Sequence, residues 1–203
     1  MVKAIVFDIG GVLVDLDVQA CLRAFREDLG FVRITELLDP SHQKGIYGEL
    51  EAGRLSADHF RELILAESRP GSTKADVDRA MGALLVGMPP ITAQVVNALS
   101  ERYPLYLLSN NNPISMVRTY ELFREAGVDP QRAFRGQFIS CEMLLMKPSQ
   151  ACYREVIRRI GLPAGEILFI DDNRTNVEAA REAGMQARYY APGSDLSLLL
   201  ADL

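Results

Sequence analysis

Apolar and polar positions along the chain follow two different periods, and their alternation predicts the order of strands and helices. Five short apolar runs are typical of buried strands, at residues 3–7, 104–108, 137–139, 166–170 and 186–189. Four longer segments repeat apolar residues every three or four positions, as amphipathic helices do, at residues 91–102, 113–125, 148–160 and 174–183. Short strands that alternate with helices favour a parallel sheet. We therefore predict an α/β fold whose core is a Rossmann-like parallel sheet with helices on both faces.

The segment from residue 17 to residue 90 departs from this alternation. Its first apolar residues recur at helical spacing, at Val18, Leu22, Phe25 and Leu29. Residues 56–67 and 73–86 also have apolar helical faces, and we find no strand signal in this segment. Met88-Pro89-Pro90 ends it, because helices seldom continue through such a sequence. We predict an inserted all-helical cap domain at 17–90, with the core formed by residues 1–16 and 91–203 and completed by an apolar helix at 194–203.

Three of the predicted strands end in short polar side chains. Asp8 follows the first strand, Ser109 and Asn110 follow the second, and Asp171 and Asp172 follow the fourth. Ligands of parallel α/β sheets lie at the carboxyl ends of the strands, where such side chains converge. A short polar residue after a strand can instead cap the next helix, and this alternative stays open for Asp172 or Asn173 and for Ser109 or Asn110. Asp8 is followed by two glycines and a strand-like run at 12–16, so no helix is there to be capped.

The three carboxylates predict a cation at this edge of the sheet. Asp8, Asp171 and Asp172 would repel one another unless positive charge compensates them. A few oxygen ligands, completed by water and substrate, suit Mg²⁺. The amine of Lys147, in the dipeptide Lys147-Pro148, and the hydroxyl of Ser109 suit a substrate with several anionic oxygens, such as a phosphoryl group.

Composition and charge narrow the function further. The chain has 203 residues, of which 48% are hydrophobic and 24% charged, and a net charge of -5, which argues against a nucleic-acid surface. Its first apolar run is too short for a signal peptide or a membrane span. Cys21, Cys141 and Cys152 form no CxxC pair, which argues against zinc and indicates reduced thiols. We expect a cytoplasmic protein that acts on a small molecule, with no nucleic-acid or membrane partner, as a monomer or homodimer.

These motifs stand in a definite order along the chain. Asp8-Ile9-Gly10-Gly11-Val12 comes first, followed by Ser109-Asn110, Lys147-Pro148 and Asp171-Asp172. In order, spacing and strand context, the set resembles the four motifs of the haloacid dehalogenase superfamily. The helical segment after the first motif resembles that family's cap, so the resemblance spans nearly the whole chain. It implies a hydrolase, and most members of the superfamily are phosphatases.

The resemblance implies a role for each motif residue. Asp8 would be the nucleophile that forms an aspartyl-phosphate, which water then hydrolyses. Mg²⁺ would be held by the Asp8 carboxylate, the Gly10 carbonyl, the Asp172 carboxylate and, through water, Asp171. The phosphoryl group would be bound by the catalytic residues Ser109 and Lys147, by Asn110 and by the amides near Gly10 and Gly11. Asn176 would either support the metal site or be an ordinary residue of the helix surface.

Gly10 departs from the family pattern. Phosphatases of this family usually have a second Asp at this position, which protonates the leaving alcohol, and such acid–base assistance is worth about 10²–10⁴-fold in rate. Three alternatives follow. The enzyme favours leaving groups that need little protonation, such as sugar 1-phosphates; another residue replaces the acid, with Asp15, Asp17 and Glu51 as candidates; or the chain is a weakly active or non-catalytic phosphate-binding member.

The helical insertion would close over the phosphate and supply substrate contacts, as lids do. We expect specificity residues in the stretch 47–54, between helices. The candidates are Tyr47 and Arg54 in that stretch and His42 before it. The family also contains 2-haloacid dehalogenases, whose Asp attacks carbon without a metal. In such an enzyme, the Asp171-Asp172 pair would be costly and without purpose.

Overall fold

The computed structural model describes residues 1–38 and 44–203. Within these ranges there are seven strands: β1 (Ala4–Phe7), β2 (Asp15–Leu16), β3 (Leu85–Gly87), β4 (Leu105–Ser109), β5 (Phe134–Ile139), β6 (Ile167–Asp171) and β7 (Gln186–Tyr189). The helices of the first half are α1 (Val18–Arg23), α2 (Ile34–Leu37), α3 (Gly45–Glu51), α4 (Ala57–Ala66), α5 (Lys74–Gly82) and α6 (Pro90–Ser100). Those of the second half are α7 (Pro113–Glu125), α8 (Pro130–Ala133), α9 (Ser140–Met143), α10 (Gln150–Ile160), α11 (Arg174–Glu182) and α12 (Leu196–Leu199). A π-helical turn, Ala24–Asp28, continues α1, and a 3₁₀ turn, Ala164–Glu166, precedes β6.

The core is a five-stranded parallel sheet in the order β5-β4-β1-β6-β7. Strand β1 lies in the middle, where Val6 pairs with Tyr106 of β4 on one side and with Phe169 of β6 on the other. Because side chains of a strand alternate between faces, Ile5 and Phe7 join one apolar cluster, whereas Ala4 and Val6 join another. Helices α6, α7 and α12 cover the first face, and α10 and α11 cover the second. The predicted Rossmann-like core with helices on both faces is confirmed.

The predicted elements of the core lie close to the observed ones. Helix α7 and strand β7 have the predicted bounds. Strand β5 begins at Phe134 rather than at residue 137, because Gly136 and its polar neighbours hide the start of the strand in the hydropathy pattern. The predicted C-terminal helix is shorter than expected and consists of α12 alone. Among the described helices, none combines the length and the apolar character that a membrane crossing requires.

The segment between β2 and β3 contains α1 to α5 and has an apolar cluster of its own. Phe25, Tyr47 and Phe60 are fully buried within it, and the rings of Tyr47 and Phe60 meet edge to face at 5.9 Å between centroids. Ile114 of α7 belongs to the same cluster, so the helical segment packs directly on the core. The division into a core and a cap at residues 17 and 90 stays a prediction.

Three local predictions in and beside this segment were wrong. No strand was expected between residues 17 and 90, but the helix predicted over 73–86 ends at Gly82, and β3 pairs antiparallel with β2. A strand of three residues is too short to show a period in the sequence. The strand-like run 12–16 is mostly a turn, with a hydrogen bond from the Gly11 amide to the Val14 carbonyl, and only its last two residues form a strand, β2. The stretch 47–54, expected between helices, is helical as far as Glu51.

Candidate active site

The carboxyl ends of three adjacent strands form one edge of a cleft. Strands β4, β1 and β6 are neighbours in the sheet and run in parallel, so the residues that end or follow them lie at the same edge. The cleft has a volume of about 190 Å³. The predicted site residues that line it are Asp8, Gly10, Ser109, Asn110, Lys147 and Asp172. Asp171 lies fully buried behind them, and Gly11 packs against Asp172.

Lys147 joins two of the carboxylates. Its Nζ atom lies 2.9 Å from Asp8 Oδ1 and 2.7 Å from Asp171 Oδ2. The lysine is only 3% exposed and Asp8 only 8%, so water screens these interactions weakly. Burial lowers the pKa of Lys147, but Asp171 and Asp8 outweigh this effect and hold the pKa above its ordinary value. The lysine is therefore charged and held against the end of β1.

Asp171 is committed to hydrogen bonds on both oxygens. Its Oδ1 accepts from the Asn173 amide at 2.7 Å and from Asn176 Nδ2 at 3.0 Å, and its Oδ2 accepts from Lys147 Nζ. Asn176 is buried, so it is not an ordinary residue of the helix surface. This arrangement orients Asp171 toward the lysine and leaves it less free than its neighbour for other ligands.

The charges of the site do not balance within the protein. Carboxylate oxygens of Asp8, Asp171 and Asp172 lie within 4.8 Å of one another, and Lys147 supplies one positive charge against these three groups. Burial raises the pKa of Asp8 to about 7, although Lys147 opposes the rise. Burial, followed by the charge of Asp171, raises the pKa of Asp172 to about 6. A divalent cation would supply the missing charge, and this hard oxygen donor set fits Mg²⁺.

The two glycines after β1 let the backbone approach the carboxylates. Gly11 has φ +75, and a Cβ atom there would collide with the carboxylate of Asp172. Only glycine combines that backbone conformation with that close approach. Gly10 has an ordinary conformation, and a Cβ atom would lie 3.2 Å from the end of the exposed Leu16 side chain. Position 10 is thus crowded but not closed to a side chain.

Asn110 fastens the loop that carries the lysine. Its Nδ2 donates to the Lys147 carbonyl at 2.9 Å, and its Oδ1 accepts from the Lys147 amide at 2.9 Å. Both polar ends of the side chain are thus engaged with one residue of the main chain. The hydroxyl of Ser109 is buried at the end of β4 and lines the cleft.

Glu51 enters the cleft from the helical segment. It is the last residue of α3, is only 8% exposed and lines the same cleft as Asp8 and Lys147. Burial, and to a lesser degree the charge of Asp8, raise the pKa of Glu51 to about 8 against the opposing charge of Lys147. Of the three candidates for the missing acid, Glu51 is the one that the fold places in the cleft.

The other two candidates lie elsewhere. Asp15 is exposed in β2, and Asp17 caps α1 by accepting a hydrogen bond from the Ala20 amide at 2.8 Å. Neither lines the cleft.

The specificity candidates separate in the same way. Tyr47 lines the cleft. Arg54 is exposed and pairs with Glu49 at 2.7 Å between nitrogen and oxygen. His42 lies outside the described residues.

A buried polar link between the helical segment and the core has little signal in the sequence. The Ser140 hydroxyl donates to the Glu51 carbonyl at 2.6 Å and accepts from the Asn111 amide at 3.0 Å. Ser115 lines the cleft beside them. The motif Ser109-Asn110 marked part of this region, but nothing in the sequence marked Ser140.

Comparisons with known proteins find similar sequences and similar folds. Residues 2–184 match the family model described as haloacid dehalogenase-like hydrolase. A D-ribitol-5-phosphate phosphatase of Bacteroides thetaiotaomicron is 30% identical over 196 residues, which are 96% of this chain and 95% of that protein. A haloacid dehalogenase family enzyme from the same organism, solved with magnesium and inorganic phosphate, superposes with a TM-score of 0.90 at 28% identity, covering 98% and 99% of the two chains. A predicted hydrolase of this type from Porphyromonas gingivalis has a TM-score of 0.88 at 30% identity, covering 100% and 97%.

Proposed function

The chain belongs to the haloacid dehalogenase-like hydrolase family, and from this membership we propose that it is a magnesium-dependent phosphatase of a small, polar phosphate monoester such as a sugar or polyol phosphate. The observation that carries the proposal is the convergence of three carboxylates and one lysine at the edge of the sheet. Such a site attracts a divalent cation, and with the cation bound it is suited to a dianionic phosphoryl group.

The residues divide the chemistry among themselves. Asp8 attacks phosphorus, its oxygen forms the new bond, and the ester P–O bond breaks. Lys147, held in place by Asp171, contacts the phosphoryl oxygens and stabilises the charge that develops on them. Water then hydrolyses the aspartyl-phosphate and regenerates Asp8.

The metal-binding role falls to the residues with free oxygens. Asp8, Asp172 and the Gly10 carbonyl would hold Mg²⁺, with Asp171 behind them. When bound, Mg²⁺ supplies positive charge that offsets the repulsion between the nucleophile and the phosphate.

The shape and lining of the cleft support a small polar substrate. At about 190 Å³, the cleft suits a phosphate with a short organic part. Its lining includes the amide and hydroxyl groups of Asn111, Ser115 and Asn173, beside Leu16 and Leu84. These groups suit hydroxyls of a sugar or polyol. The relative named as a D-ribitol-5-phosphate phosphatase supports the same substrate class.

A panel of phosphorylated metabolites tests the proposal. We expect phosphate release from sugar and polyol phosphates with Mg²⁺, and its loss on chelation with EDTA. Asp8→Asn should lower kcat by several powers of ten because it removes the nucleophile. Asp28→Asn, which changes an exposed aspartate, should leave kcat unchanged.

Two other results would replace the proposal. Halide release from 2-haloacids without a metal would identify a dehalogenase. Intact Mg²⁺ binding with no turnover of any phosphate ester would identify a phosphate-binding member, an alternative that the bare Gly10 favours.

A further inference from the structure

The reaction proposed above needs a proton donor that the first motif does not provide. The leaving oxygen of an alkyl phosphate departs as an alkoxide unless an acid protonates it. Gly10 has no side chain to do so. The acid must therefore come from another group that faces the cleft.

Among the described residues that line the cleft, the titratable groups are Asp8, Tyr47, Glu51, Lys147 and Asp172. Asp8 is the nucleophile, and Asp172 is placed to hold the cation. Lys147 is engaged by two carboxylates, which keep its proton bound. Burial raises the pKa of the Tyr47 hydroxyl well above its usual value, so tyrosine is a poor donor here. Glu51 is the group that remains.

The setting of Glu51 suits proton donation. Its side chain has no hydrogen-bond partner among the described residues, although the residue is more than nine-tenths buried. The Ser140 hydroxyl holds its carbonyl at 2.6 Å, which fixes the end of α3 over the cleft. The pKa of Glu51, raised to about 8 chiefly by burial, keeps the carboxyl protonated near neutral pH.

We propose that Glu51 is the general acid that protonates the leaving oxygen, in place of the side chain that Gly10 lacks; this inference rests on the phosphatase function proposed above. As the Asp8 oxygen bonds to phosphorus, the ester P–O bond breaks and its electron pair stays on the leaving oxygen. That oxygen takes the proton of Glu51, which becomes a carboxylate. In the second step, water attacks phosphorus and gives a proton to Glu51, while the electron pair of the breaking P–O bond returns to Asp8.

The dependence of the first turnover on the leaving group tests this role. In rapid-quench experiments with Mg²⁺, Glu51→Gln should slow alcohol release from a polyol phosphate by about 10²–10⁴-fold. Release of p-nitrophenol from p-nitrophenyl phosphate should change by less than about fivefold, because that leaving group needs little protonation. First-turnover rates are required because loss of the base also slows the second step for both substrates.

The matched control is Glu62→Gln, which makes the same change at an exposed position of α4 and should leave both rates unchanged. Calorimetry should show unchanged Mg²⁺ affinity for Glu51→Gln, which establishes a folded site. Equal slowing of both substrates, or of neither, would overturn the inference while leaving the phosphatase function intact. A wild-type protein that turns over no phosphate ester would instead overturn the proposed function and this inference with it.

Discussion

At the scale of single residues, Lys147 is the one cationic side chain among the described residues that line the cleft. It pairs with Asp8 and Asp171, and Asp172 has no cationic partner at hydrogen-bond distance within the described part of the chain. Buried ion pairs repay their desolvation only when the geometry is good and the other polar atoms are satisfied. Asp171 meets this condition through Asn173 and Asn176, whereas the contacts of Asp8 with Lys147 and with the Ile9 amide both fall on Oδ1.

The raised pKa of Glu51 predicts that the stability of the fold depends on pH. Its pKa is about 8 in the folded protein and 4.5 in the reference state, so the folded state binds the proton more tightly. This contribution to stability is complete below the unfolded pKa and is lost as the pH rises through the folded pKa. Glutamine cannot ionise. As the pH rises from about 5 to about 8, wild type should therefore lose about 1–4 kcal/mol more of its free energy of unfolding than Glu51→Gln does.

Denaturant unfolding in EDTA across this pH range measures the difference. The charged or titratable groups that interact with Glu51 are Asp8 and Lys147 across the cleft, Tyr47 on its own helix and Cys141 on the neighbouring one. They are common to both proteins, so the comparison isolates Glu51 to first order. Parallel stability curves for the two proteins would show that the carboxyl is not protonated in the fold.

At the scale of elements, α3 is the helix of the helical segment whose last residue, Glu51, lines the cleft. Gly53, just beyond its end, has φ +72, and a Cβ atom there would collide with the main-chain carbonyl of Cys141. The Ser140 hydroxyl bonds to the Glu51 carbonyl beside this contact. The end of α3 therefore lies directly on the backbone of α9, and a small change here moves Glu51 relative to Asp8.

Gly53→Ala should disrupt the contact between α3 and α9. We expect it to destabilise the fold by about 2–4 kcal/mol, through a left-handed alanine and a clash with backbone that cannot easily yield. Turnover of a polyol phosphate should fall at least tenfold, because the proposed acid, Glu51, would no longer reach the leaving oxygen. Gly71→Ala is the matched control. Gly71 has φ +89 but no neighbour within 4 Å, so the control carries the backbone strain alone.

Thermal unfolding and steady-state kinetics on both variants provide the measurement. The control should lose about 1–2 kcal/mol of stability and retain wild-type kcat. Equal losses of activity in the two variants would contradict the role given to the contact between α3 and α9.

Elements were predictable from sequence where their period is long enough to detect. Helix α7 spans three turns with Pro113 at its start, and both of its bounds were predicted. Strand β3 has three residues and exists because β2 pairs with it, so its signal lies in a partner distant in sequence. Glu51 was a candidate because it is acidic, but whether α3 turns it toward the cleft depends on packing that the sequence does not display.

At the scale of the whole molecule, the candidate site lies between the edge of the parallel sheet and the helical segment that contains α1 to α5. The sheet supplies the proposed nucleophile, Asp8, and the acidic pair Asp171-Asp172, because strands β4, β1 and β6 end side by side. The rule that polar residues at strand ends converge was sufficient to assemble these residues from sequence. The helical segment supplies the opposite wall through Tyr47 and Glu51. This wall required the tertiary structure, because no periodic rule brings an inserted helix to a given strand.

The charge of the assembled site should govern the stability of the whole fold. A cation that binds only the folded state at one hundred times its dissociation constant stabilises it by about 2.7 kcal/mol, which corresponds to a rise in Tm of roughly 5–11 °C at this chain length. Asp172→Asn removes a proposed ligand and also a carboxylate with a raised pKa. We therefore expect Asp172→Asn to lose most of the magnesium-induced rise in Tm. In EDTA it should melt at or above the wild-type Tm, because fewer negative charges lie together at the edge of the sheet.

The control variant, Asp28→Asn, should keep the full magnesium-induced rise in Tm. Calorimetric scans with and without Mg²⁺ measure both quantities, and an Asp172→Asn protein that melts lower in EDTA and still gains the full rise would refute the electrostatic account of the site.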